Sequence, residues 1–154
     1  MRVAFGNDHA GYPMRQYVMD VLAQLGCEVI DCGTAAPEPV DFPDIAQAVC
    51  KEVLSGRAER GLLVCGTGVG AAIAANKVPG IRAAVCHDVH SAHQCVEHDD
   101  VNVMCLGAQI VGPWLAADLI RAFLQARFRA EPEFVRRVAK LAALERRLAG
   151  ERAT

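Results

Sequence analysis

A chain of 154 residues, 53% of them hydrophobic, forms one domain with a core of its own, not two full-sized domains and not a disordered segment. Sixteen Lys+Arg against eighteen Asp+Glu leave a formal charge of −2, without the cationic surplus that general nucleic-acid binding draws on, and 5% aromatic residues offer few platforms for stacking bases. The seven cysteines (27, 32, 50, 65, 86, 95 and 105) are odd in number and form no CxxC pair, which reads as reduced thiols in a cytosol rather than a secreted disulfide framework.

Val3 to Phe5 reads as a buried strand, ended by Gly6-Asn7-Asp8 and preceded by no signal-peptide core. Pro13 suits an early helical position, and Met14, Val18, Val21, Leu22 and Leu25 recur at helical spacing up to Gly26. Cys27 to Cys32 is a second strand. A Pro-containing loop through Pro43, carrying Asp41 and Asp44, leads to a helix from Ile45 to Leu54. Gly61 to Cys65 is a third strand, and Gly66-Thr67-Gly68-Val69-Gly70 opens a small-residue helix to about Lys77. Ile81 to Cys86 is a fourth strand, Asp88 to about His98 a helix, Val101 to Leu106 a fifth strand and Pro113 to Phe128 a strong helix. The longest uncharged stretch, Gly61 to Asn76, is broken by glycines and polar residues and makes a poor membrane span. A cytoplasmic protein with no membrane and no nucleic-acid partner is expected.

Apolar strands alternating with helices predict an α/β fold: a Rossmann-like three-layer sandwich with a five-stranded parallel sheet covered on both faces. Ligands of such sheets bind at the carboxyl ends of the strands. The chain places Gly6 to His9, Gly33-Thr34, Cys65 to Gly70, Cys86 to Asp88 and Gly107 to Gln109 there. After Arg129 the character changes. Residues 131–149 form a charged helix with Phe134, Val138, Leu141, Leu144 and Leu148 on one stripe. The sheet is already flanked, so this extra C-terminal helix is expected to pack on a partner subunit. The domain spans 1–149, with 150–154 as a flexible tail.

Cys65 carries the strongest chemical signal. It ends a buried strand directly before a glycine-rich loop whose backbone N–H groups can hold a phosphate, or an oxyanion formed during reaction. Gly66, Gly68 and Ala71 with Asp88 also fit a loose dinucleotide fingerprint, but little chain remains for the substrate region such enzymes carry. Asp8 and His9 follow the first strand on the same rim and can bind sugar hydroxyls or a charged group. His98, followed by Asp99-Asp100, is a candidate acid near neutral pH. His87, His90 and His93 drift around a helix and the cysteines lack zinc spacing, so no metal site is expected. Arg136 and Arg137, with Arg127 and Arg129 before them, can hold a phosphate if the terminal helix reaches a partner's rim. A thiolate base, a backbone anion hole and a histidine acid suit proton transfer beside a carbonyl. The same thiol could form a thioester or thiohemiacetal.

Ala4-Phe5-Gly6-Asn7-Asp8-His9-Ala10-Gly11, Val29 to Thr34, Cys65-Gly66-Thr67-Gly68-Val69-Gly70, Ala74 to Lys77, Gly80 to Ala83 and Glu97-His98-Asp99-Asp100-Val101-Asn102-Val103 together resemble the type B ribose-5-phosphate isomerase family, which also includes galactose-6-phosphate isomerase subunits. The resemblance runs from residue 2 to about 148. It implies a homodimer, or a tetramer built from it, that isomerises a small-molecule sugar phosphate without metal or other cofactor, at sites on the subunit boundary. It implies Cys65 as the base and His98, assisted by Thr67, as the ring-opening acid. Gly66, Thr67, Gly68, Val69 and Gly70 would hold the C1 end, with Asp8, His9 and Asp99 at further substrate-binding positions. The phosphate end departs from the pattern: Gln109 stands where Arg is frequent, and a second arginine has no counterpart in Ala130-Glu131-Pro132-Glu133. The retained arginine falls on Arg137, with Arg136 beside it, and Arg127 and Arg129 are candidate replacements. Ribose 5-phosphate is the expected substrate, a tetrose or hexose phosphate the alternative. A sugar-phosphate sensor or a structural subunit of a mixed assembly is the reading from another class.

Overall fold

The computed structural model describes residues 1–151. Five parallel strands, β1 (Arg2–Asn7), β2 (Glu28–Asp31), β3 (Arg60–Cys65), β4 (Ala83–Val85) and β5 (Val103–Gly107), form one sheet in the order β2-β1-β3-β5-β4. The helices are α1 (Arg15–Gln24), α2 (Phe42–Leu54), α3 (Val69–Ala75), α4 (Val89–Asp99), α5 (Pro113–Gln125) and α6 (Pro132–Glu151). The expected α/β three-layer sandwich is therefore the observed one.

Several boundaries differ from the expectation, each for a local reason. The first helix starts as a 3-10 turn, Tyr12–Met14, around Pro13, and only then becomes α1. The second helix begins three residues early, at Phe42, because Pro43 sits in its first turn, where a missing N–H costs nothing. The fourth strand is a short edge, Ala83–Val85, since Arg82 N and Ala83 N are bonded by the side chains of Asn102 and Asn76. Helix α6 runs through 150 and 151, and residues 152–154 of the expected tail lie outside the described residues.

Alternation along the strands builds two cores. Val3, Phe5, Leu62, Val64, Met104 and Leu106 face α1, α4 and α5. Ala4, Leu63, Cys65, Val103 and Cys105 face the thinner layer of α2 and α3. That layer is close because the strands are small there: a Cβ on Gly6 or Gly61 would lie 2.7 or 2.8 Å from methyls of Val49. After β2 the chain returns past β1 to β3, so β1 and β3 form the switch point, and their carboxyl ends leave a crevice between them. Among the described residues no helix is long and apolar enough to cross a membrane.

Candidate active site

The crevice is built from three loops that meet on backbone contacts. After β1, Asp8 N donates to Val64 O (3.3 Å), and the buried Asp8 carboxylate accepts from Gly11 N (2.8 Å). Gly11 must be glycine, since a Cβ there would lie 2.0 Å from Val64 O. After β5, Ala108 N donates to Cys65 O (2.8 Å) and Gln109 N to Gly66 O (3.0 Å). Gly107 packs so tightly on the Gly66-Thr67 backbone that a Cβ would come within 2.7 Å of Thr67 Cα.

Cys65 closes β3 at the centre of this rim and is 8% exposed. Gly68 N donates to its Sγ at 3.3 Å. That N–H can point inward because Gly68 adopts φ +79°, a left-handed conformation, pressed against the Leu106 backbone. Thr67 and Val69 are exposed beside it, and Thr67 Oγ1 accepts from Val69 N (3.3 Å). The Gln109 side chain lies over Gly66, its Oε1 3.1 Å from where a Cβ would stand. His9 is exposed on the same rim, its Nδ1 accepting from Val40 N (3.3 Å), which ties the Pro-containing loop to the site.

Four residues with no role assigned from the sequence also shape this rim, two of them, Asn7 and His87, within the strand-exit segments expected there. Asn7, fully buried, donates to Asp8 O (3.1 Å) and Thr34 O (3.2 Å) and accepts from Arg15 Nη1 (2.9 Å), so it fixes two rim loops at once. Arg15 is held in turn by Asp31, whose carboxyl it keeps below its ordinary range through a direct hydrogen bond. Phe42 lays its ring against Gly70, leaving 3.1 Å for a Cβ there. His87, at the exit of β4, accepts from Gly107 N through Nε2 (3.0 Å). The one available signal for Asn7 and His87 was their position at a strand exit, and for Phe42 an aromatic ring beside a helix-opening proline.

The remaining expected residues lie elsewhere in the subunit. Helix α4 runs back across the sheet from Asp88, and Asp100, at φ 51°, ends it beside Arg82, ahead of β4. Arg82 Nε donates there to Asp99 O (3.2 Å) and Asp100 O (2.7 Å). His98 and Asp99 are thus at the amino end of the sheet, roughly 15–20 Å of strand away from Cys65 at ~3.3 Å per residue. His98 stacks on Phe134 of α6, centroids 4.2 Å apart and planes at 16°. Arg136 and Arg137 are exposed on α6, the latter 5.7 Å from the Phe134 ring centroid. Arg127 is engaged with the carbonyls that end α5, and Arg129 with Glu131.

The other thiols belong to the core. Burial pushes the Cys50 thiol up to about 11 and Cys105 higher, so both stay protonated and act as small apolar side chains. Cys86 donates to Cys95 Sγ at 3.9 Å, a contact that raises Cys86 and lowers Cys95. Among the described residues, no group of three or more His, Cys, Asp or Glu side chains is placed to hold a metal ion.

A family model described as Ribose/Galactose Isomerase matches residues 3–141. The chain belongs to this family. Within the ribose/galactose isomerases it is 40% identical to ribose-5-phosphate isomerase B of Escherichia coli over 146 residues, covering 95% of this chain and 97% of that protein. It is 39% identical to D-erythrulose-4-phosphate isomerase of Pectobacterium atrosepticum, covering 83% and 85%. The solved structure of Clostridium thermocellum ribose-5-phosphate isomerase B is similar to it at 43% identity and TM-score 0.93, over 96% of this chain and 99% of that one. The family is one of sugar-phosphate isomerases, as the sequence resemblance implied, and its type B ribose-5-phosphate isomerase fold is the one observed here.

Proposed function

We propose that the protein interconverts an aldose phosphate and its ketose, with ribose 5-phosphate as the principal substrate, by proton transfer through a cis-enediolate. The observation that carries this reading is the Gly68 N–H on Cys65 Sγ at 3.3 Å, at the point where the loops after β1, β3 and β5 converge. Backbone N–H groups of residues 66–70, fixed by Gly68 and Gly107, stabilise charge on the C1 and C2 oxygens as it develops and need no reorganisation to do so. Cys65 as thiolate removes the C2 proton, the C–H electron pair forms the C1–C2 double bond and the carbonyl pair moves to the C1 oxygen; a proton then passes from the C2 oxygen to the C1 oxygen, and return of the thiol's proton to C1 gives the ketose. These steps use the thiol and backbone groups alone, without metal or cofactor. Asp8 and His9 bind hydroxyls of the open chain, with Thr67 and Val69 lining the C1 end.

His98 acts from a second subunit. A two-fold dimer places the partner's His98, with the partner's Asp99, Arg136 and Arg137, over the Cys65 rim, and reciprocally. The exposed Leu141, Leu144 and Leu148 of α6 supply the apolar face for that association. Thr67 assists ring opening, and the arginines hold the phosphate.

A second reading keeps the mechanism and changes the sugar. The neutral Gln109 stands where the family resemblance implies a phosphate-binding arginine, and one relative is named for a four-carbon phosphate. Conversion assays with the wild type and Cys65→Ala across four-, five- and six-carbon aldose phosphates separate these. Turnover of ribose 5-phosphate that disappears in the variant is expected. A clear preference for a tetrose or hexose phosphate would replace the substrate. No turnover on any of them by the folded chain would overturn the enzyme reading and leave a sensor or structural subunit.

A further inference from the structure

Phe134 is the buried apolar anchor of α6, whose other described residues are half-buried or exposed. It is 7% exposed, whereas Leu141, Leu144 and Leu148 on the same stripe are 42–49% exposed in the subunit. Its ring lies nearly parallel to the His98 imidazole. The guanidinium carbons of Arg129 and Arg137 are 5.4 and 5.7 Å from its centroid. Next to the stack, Arg129 N donates to Glu97 O at 2.9 Å, tying the segment before α6 to the last turn of α4.

The chemistry of this contact is specific. A face-to-face stack restrains the imidazole plane while leaving both ring nitrogens, which lie on the edge, free to exchange protons. A hydrogen bond would have occupied one of them, and among the described residues none is made by the His98 ring. Phe134 sits two and three residues before Arg136 and Arg137, which are exposed and carried by the backbone of α6 itself.

We propose that Phe134 is a positioning residue for His98, holding the imidazole at the angle needed to protonate a sugar ring oxygen; the proposal rests on His98 being the ring-opening acid. In that step the imidazolium gives its proton to the ring oxygen O4 and the C1–O4 bond breaks with its electron pair on O4. The C1 hydroxyl releases a proton to water, leaving the open aldehyde. The consequence depends on the substrate. Ribose 5-phosphate closes through O4 and must be opened. Erythrose 4-phosphate has its O4 esterified, forms no such ring and needs no acid for opening. A residue that works through the ring-opening acid therefore matters for the first sugar and not for the second, while a residue that only supports the fold matters equally for both.

The test compares Phe134→Leu, which keeps an apolar side chain but removes the aromatic face, with Phe134→Tyr, which keeps the face, and with His98→Asn. Turnover of both sugars is followed, together with the affinity of the open-chain acid 5-phospho-D-ribonate. That affinity keeps the comparison available if the chain accepts no tetrose. For ribose 5-phosphate, kcat/KM of Phe134→Leu is expected to fall about tenfold, a fraction of what a general acid supplies. Erythrose 4-phosphate turnover and ribonate affinity should stay within about twofold, and Phe134→Tyr should behave as wild type. Equal loss on both sugars, or matching loss of ribonate affinity, would overturn the proposal in favour of a structural role. No loss in Phe134→Leu while His98→Asn is selectively impaired on ribose 5-phosphate would overturn it and leave the acid reading standing. A His98→Asn variant without selective loss would overturn that reading, and the proposal with it.

Discussion

Cys65 and His98 lie at opposite ends of the same sheet: Cys65 closes β3 at the carboxyl edge, and His98 sits in the last turn of α4 at the amino edge, stacked on Phe134. A strand between them is rigid, so no loop movement within one subunit brings the thiol and the imidazole together. A site that uses both needs two copies of the chain, and the exposed leucines of α6 lie on the helix whose Phe134 packs against His98.

The glycine-rich loop keeps its shape because Gly107 lies directly beneath it. Gly107→Ala puts a methyl 2.7 Å from Thr67 Cα and 2.8 Å from Gly66 O, contacts that only backbone movement can relieve. The expected cost is about 1–3 kcal/mol of stability. Because the displaced groups are the proposed oxyanion donors, kcat should fall by about tenfold or more while the protein remains folded. Thermal melting and steady-state kinetics on the same preparation check both.

Asp31 tests the support under the rim. Its hydrogen bond with Arg15 holds the carboxyl below its ordinary 3.8, and Arg15 in turn bonds Asn7. A depressed carboxyl stabilises the fold fully above its unfolded pKa and loses that contribution as pH falls through the folded value. Asp31→Asn should therefore cost about 0.5–1 kcal/mol at neutral pH, since the Asp31 side chain is 40% exposed and solvent screens the pair. The gap to wild type should close progressively below pH 3.8. Denaturant titrations at neutral and acid pH measure it.

Leu144 tests the proposed association. It is 44% exposed in the subunit, and Leu144→Asp leaves the monomer fold untouched but places a carboxylate in the apolar face of α6. Analytical ultracentrifugation should show a dimeric wild type and a monomeric variant, with isomerase activity lost in parallel. A variant that stays dimeric and active would move the interface elsewhere.

Much of the site was legible because its residues follow buried strands directly. Asp8-His9, Cys65 to Gly70 and Gln109 each come immediately after an apolar run, and parallel packing sends all three exits to one edge. The placement of His98 was not legible at the same level. In a parallel sheet the end of a helix joining two strands returns to the amino edge whatever the strand order, which separates His98 from Cys65, but what it packs on there follows only from the tertiary structure. The contact of His98 with Phe134 joins residues on different helices, with no local pattern to announce it. The start of α2 is hidden for a local reason: Phe42-Pro43 looks like loop in isolation, while proline in a first helical turn is favourable.

The most direct test of the shared site is complementation between two inactive variants, Cys65→Ala and His98→Asn, unfolded together and refolded as a mixture. In a two-fold dimer the mixed species has one site carrying both substitutions and one site carrying neither. With random pairing half the dimers are mixed and half their sites intact, so activity should return to about a quarter of wild type. Mixtures that form mixed dimers by native mass spectrometry yet recover no activity would contradict the account, placing Cys65 and His98 in no common site.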